Sequence, residues 1–185
     1  MDDINAVMDA TNSEKAFLFS HSEGGSVSLL FSLNYPDKTL GVIGFGIFAK
    51  RRFSEDYPWA PTDEEREVSN KLIEDNWAHG KLDELRSLVP SLAHDNGFMH
   101  WFASYLRSGG SPKAALILHK QCTHIDVTNI LGSIKVPTLL LFRKGDIEIQ
   151  VEEGRYIAER ITNSKFRIVI CFYLNILTHS SRFLK

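Results

Sequence analysis

The residues of this chain that could do chemistry begin at Ser22, in the stretch FLFSHSEGGSVSLLF from Phe17 to Phe31. A serine hydroxyl becomes a nucleophile when a base takes its proton, and the base works best when an acid orients it. Ser22 stands where an apolar run stops at Ser20-His21-Ser22-Glu23-Gly24-Gly25 and resumes at helical spacing. A sharp turn from strand to helix strains its central residue and needs small neighbours, here Ser20 and Gly24. The pattern is Ser-x-Ser-x-Gly, a relaxed form of Gly-x-Ser-x-Gly. A helix opening near Gly24 would turn its unpaired N–H groups and positive dipole end toward Ser22, and the Glu23 N–H then reads as one oxyanion donor. The same small residues also suit an ordinary strand-to-helix turn with no chemistry, and both readings stand at this point.

Asp146 is the candidate acid, placed just after the strand-like run Val136–Phe142, although Lys144-Gly145-Asp146 also suits a plain turn. His179, in Leu177-Thr178-His179-Ser180-Ser181, is the only histidine after Asp146 and so the candidate base in the order serine, acid, histidine. It also reads as an exposed tail histidine. His21 adjoins Ser22 but points elsewhere at a sharp turn, which suits a structural or pocket-lining role. His119 and His124 lack a carboxylate or cysteine at matching spacing, so no metal site is expected, and no cofactor is implied.

The elements that must position these residues follow from periodicity. Ile4, Val7, Met8 and Thr11 share one face of a short helix beginning near Asp2. Ala16–Phe19 reads as a strand and the segment from Gly24 to Asn34 as a helix closed by Pro36. Thr39–Phe48 is nearly continuous in apolar residues, which suits a strand buried on both faces in a parallel sheet. Helices are predicted from Pro61-Thr62-Asp63-Glu64-Glu65, around Phe98–Leu106 and from Ser111-Pro112, with Trp59, Trp77 and Trp101 packing this helical segment. A strand over Val136–Phe142, a helix over Glu152–Ile161 and a strand over Lys165–Tyr173 complete the series. Strands alternating with helices argue an α/β fold, a mostly parallel sheet with flanking helices and a helical insertion.

Length and composition agree. At 185 residues, 43% hydrophobic and 24% charged, the chain suits one globular domain over 1–185, with a core from 1–47 and 127–185 and the insertion at about 48–126. A net charge of -2 gives no case for nucleic acid or an anionic membrane, and no apolar run is long enough to span a bilayer. Cys122 and Cys171 show no metal or disulfide spacing, which fits a cytoplasmic setting.

These features together resemble an α/β-hydrolase of the bacterial branch found alone or fused to class III adenylate/guanylate cyclases. The resemblance rests on DDINAVMDATNSEKAFLFSHSEGGSVSLLF, DYPWAPTDEERE, HIDVTNILGSIKVPTLLLFRKGDIEI and VEEGRYIAERI. It implies that Ser22 is the nucleophile, Asp146 the acid and the helical insertion a lid. The implied activity is esterase-like hydrolysis of a small-molecule acyl substrate. The family's early strands and its glycine-containing histidine loop have no counterpart here, so activity impaired by truncation, exposed apolar surface and self-association are expected. A non-catalytic ligand-binding or regulatory module, with a cyclase domain as partner, is the alternative.

Overall fold

The computed structural model describes residues 1–76, 86 and 89–169. In chain order its elements are α1 (Asp2–Ala10), β1 (Ala16–Ser22), α2 (Gly24–Asn34), β2 (Thr39–Ile47), α3 (Asp63–Asn76), α4 (Asn96–Gly109), α5 (Pro112–Cys122), β3 (Thr138–Arg143), α6 (Val151–Arg160) and β4 (Ser164–Val169). Two compact units emerge: one joins Met1–Asp63 to Gln121–Val169, and the other contains Glu64–Lys120.

The first unit is built on a four-stranded sheet of order β1-β2-β3-β4 in which every neighbouring pair is parallel. The expected α/β arrangement is therefore present. β1 is longer than the Ala16–Phe19 run suggested, because Ser20 and His21 pair with Gly44 and Phe45 and Ser22 pairs with Ile47. Backbone pairing extends the strand through polar residues that an apolar criterion leaves out.

Side-chain alternation sorts the sheet into two faces. Val42, Leu140 and Phe142 point to one face, where they join Leu29 of α2 and Ile157 of α6 in a single buried cluster. Two glycines let the helices come close. A Cβ on Gly25 would lie 2.4 Å from the Ile47 Cβ, and one on Gly154 would lie 2.5 Å from the Phe142 ring. On the opposite face of the edge strand β1, Phe17 and Phe19 remain 63% and 56% exposed. Trp59 belongs to this unit as well, edge-on to Tyr57 and Tyr156 at 5.3 and 5.9 Å, and not to the helical segment the sequence suggested. β4 ends at Val169 among the described residues, and the expected remainder to Tyr173, like Trp77, lies outside them.

The second unit contains the helices expected there. Asp95 caps α4 by accepting the Phe98 N–H at 2.9 Å, and Met99, Phe102 and Val89 form its buried cluster. Trp101 lies against Phe98 and Tyr105, each 5.5 Å away. His119 Nδ1 meets Asn70 Oδ1 at 2.9 Å.

Candidate active site

In a parallel sheet all strands end at one edge, so residues just past different strands can converge there. Ser22 terminates β1 and leads through Glu23 into α2, and its φ is +53°, in the left-handed region that a residue with a Cβ rarely occupies. The turn is as sharp as the spacing predicts. It is reinforced from β2, where the register slips between His21 and Ser22 and Gly46 adopts φ +51°. This bulge inserts one residue opposite the serine and re-aims the strand end. The bulge is defined by pairing with β1, and its local signal in the sequence is Gly44-Phe45-Gly46.

The steric requirement falls one residue later than expected. A Cβ on Gly24 would sit 3.7 Å from the Ser20 Cβ, an ordinary contact, whereas Gly25 has no room. What must be small is the point where α2 crosses Ile47. Ser20 is small but not quiet: its Oγ is buried and has no hydrogen-bond partner.

Glu23 is exposed and begins α2 with right-handed backbone angles and no side-chain cap, while Ser26 Oγ donates to its carbonyl at 2.9 Å. The leading N–H groups of any helix lack intrahelical acceptors, so the opening of α2 beside Ser22 presents donors and a positive dipole end. That is the environment in which negative charge on an oxygen is stabilised.

Asp146 follows β3 after a turn in which Gly145 takes φ +77°. Its Oδ1 accepts the N–H groups of Glu148 and Ile149 at 2.9 and 3.2 Å, and its Oδ2 accepts Nε of Arg143 at 3.0 Å with Nη2 also on the same oxygen. The carboxylate is thus fixed by its own loop and by the last residue of its strand. Arg143 was not singled out from sequence, although Arg-x-x-Asp across a strand-end turn is the pattern that could have shown it. Ser22 and Asp146 are separated by β2 alone, and two strand spacings amount to roughly 10 Å.

The His21 ring lies 5.7 Å from that of Phe45, and although the residue is exposed as a whole, its pKa is lowered, first by partial desolvation of the ring and then by the charge of Arg143, while Glu23 and Asp146 act in the opposite sense. His179 lies outside the described residues. Among the described residues no group of three or more histidine, cysteine or acidic side chains gathers to hold a metal, and no helix is long and apolar enough to cross a membrane.

No family model and no curated protein sequence matches the chain. Among solved structures it is similar to a bromoperoxidase from Bacillus anthracis, with 21% identity and a TM-score of 0.77 over 90% of this chain and 63% of that one. It is similar to an esterase from Exiguobacterium antarcticum, with 21% identity and a TM-score of 0.76 over 90% and 62%. A hydrolase from Oleispira antarctica gives 20% identity and a TM-score of 0.76 over 91% and 62%. The chain therefore spans between 62% and 63% of the length of these structures. What the likenesses show is the fold: the parallel sheet and flanking helices have the α/β-hydrolase architecture.

Proposed function

We propose that the chain is a serine hydrolase that cleaves an ester or similar acyl bond through an acyl-Ser22 intermediate. Ser22 Oγ attacks the acyl carbon as a base takes its proton, and the carbonyl electron pair moves onto oxygen beside the Glu23 N–H. Collapse breaks the ester bond and the alcohol leaves with the proton from the base. Water then attacks the acyl-serine in the same manner, releasing the acid and restoring the hydroxyl. Asp146 orients the base and stabilises its positive charge, and His179 is the residue we assign to that role.

The observation that carries this reading is the left-handed backbone of Ser22 at the start of α2, one strand away from a fixed carboxylate. Strain of this kind persists where the surrounding structure enforces it, and here it falls on the serine that ends β1. The esterase and hydrolase names of the structural neighbours support the same class of reaction.

A second reading, a non-catalytic ligand-binding module, draws on one specific observation: Arg143 occupies the Asp146 oxygen that its loop amides leave open. The cyclase partner rests on the sequence resemblance. Exposure of folded protein to a fluorophosphonate probe separates the readings. Labelling of wild type but not of Ser22→Ala is expected for the hydrolase, and absence of labelling in folded wild type would favour the module.

A further inference from the structure

Beneath the acid loop lies a largely buried polar cluster that the proposed reaction does not use. Tyr57 and Glu153 are both 0% exposed, and the Tyr57 hydroxyl donates to Glu153 Oε2 at 2.8 Å. The same phenol oxygen accepts the N–H of Ala49, two residues beyond the end of β2, at 3.3 Å. The other oxygen of Glu153, Oε1, accepts the N–H of Gln150 at 3.1 Å and closes a capping box at the start of α6. Arg51 completes the cluster from the segment after β2: its Nη1 donates to the carbonyl of Glu148 at 3.1 Å and lies 3.9 Å from Glu153 Oε1.

Burying a carboxyl and a phenol is costly unless each is hydrogen-bonded, and a satisfied buried network fixes the position of whatever it joins. What this one joins is specific. At one end stands Ala49, just past the Gly46 bulge and Ile47, which pairs with Ser22. At the other stands the loop Gly145–Gln150, whose Glu148 and Ile149 amides hold Asp146. Hydrophobic contacts alone would bury this region equally well without choosing one register between the two ends. Burial also holds the Glu153 carboxyl at about 7, against the opposing influence of Tyr57 and Arg51, so its hydrogen bonds are kept in place at a real cost.

We infer that Glu153, with Tyr57 and Arg51, is a positioning residue for the reaction proposed above, holding the Asp146 loop in register with the β2 end that flanks Ser22. This inference rests on the serine-hydrolase reading. Glu153 touches no reacting atom and acts through Asp146, so its influence on rate should vanish when the Asp146 charge is absent.

That expectation defines a double-mutant cycle read as the rate of Ser22 phosphonylation per folded molecule. Glu153→Leu should slow labelling by on the order of ten- to a hundredfold in the wild-type background. It should have no effect on top of Asp146→Asn, and Glu153→Gln, which keeps an acceptor for the Gln150 N–H, should recover most of the rate. Tyr57→Phe removes a single hydroxyl without opening a cavity and serves as the second probe should Glu153→Leu not fold. Hydrogen exchange at the Glu148 and Ile149 amides, expected to quicken in Tyr57→Phe, reads the loop independently of any labelling. Equal slowing by Glu153→Leu in both backgrounds, or unchanged exchange at those amides, overturns the inference while leaving the serine reading intact. If Asp146→Asn labels as fast as wild type, the acid assignment itself falls and the inference with it.

Discussion

The left-handed conformation of Ser22 predicts an inversion in the usual ranking of alanine and glycine. A residue with a Cβ at φ +53° costs about 1–2 kcal/mol relative to its right-handed conformation, because the Cβ crowds the following carbonyl. Glycine avoids this cost but loses about 0.5–1 kcal/mol more backbone entropy on folding. The balance makes Ser22→Gly more stable than Ser22→Ala by roughly 0.5–1 kcal/mol. Both variants lack the hydroxyl, so its own contribution cancels in the comparison. For a chain of this size the difference corresponds to roughly 1–4 °C in Tm. Urea or thermal unfolding followed by circular dichroism measures it, and Val27, exposed within α2, supplies the control. There Ala should exceed Gly by about 1 kcal/mol. If Ser22→Ala equals or exceeds Ser22→Gly in stability while the control behaves normally, the backbone at Ser22 is not left-handed and the elbow is wrong.

The neighbouring positions give sharper contrasts. Gly25→Ala should cost about 1–3 kcal/mol, since its Cβ would meet Ile47 at 2.4 Å, whereas Gly24→Ala should be neutral or mildly stabilising; equal effects in urea unfolding would refute the packing. Ser20→Ala removes a buried hydroxyl that has no partner and should raise stability by up to about 1 kcal/mol, and a loss of that size would show that the hydroxyl is satisfied. The Glu153 carboxyl, facing Tyr57, Arg51 and Asp146, is raised by burial from 4.5 to about 7, so the folded chain holds this proton more tightly than the unfolded one. Its contribution to stability is therefore full below about pH 4.5 and declines as pH rises through about 7, by roughly 3 kcal/mol at most. Urea midpoints of wild type should fall relative to Glu153→Gln between pH 5 and pH 8 (roughly the span of this titration), and parallel curves would contradict it.

Much of the fold was legible because its signals are local. The break at Ser20–Gly25 and the apolar run Thr39–Phe48 each announce an element within a few residues, and the α/β order follows from their succession. The details of the site were less so, because they depend on partners distant in sequence. That Gly25 and not Gly24 must be small is set by Ile47, a residue of the next strand. The Gly46 bulge is defined only by register against β1, and the placement of Trp59 only by Tyr57 and Tyr156. Glu153 was a missed local signal, since Gln150-x-x-Glu153 is a capping-box pattern, but its pairing with Tyr57 spans 96 positions in the chain. Arg143 illustrates a different gap: charge type and spacing suggest an ion pair, yet only the turn at Gly145 brings both nitrogens onto one oxygen of Asp146.

If the chain is the serine hydrolase proposed above, Ser22 becomes acylated during turnover. The most direct measurement is rapid quench of the folded protein with a short-chain 4-nitrophenyl ester, followed by intact-mass analysis and peptide mapping. A transient gain of one acyl group located on Ser22 is expected, absent in Ser22→Ala and accompanied by release of 4-nitrophenol. Ester cleavage that persists in Ser22→Ala, or folded wild type that releases no 4-nitrophenol and gains no acyl group, would contradict it.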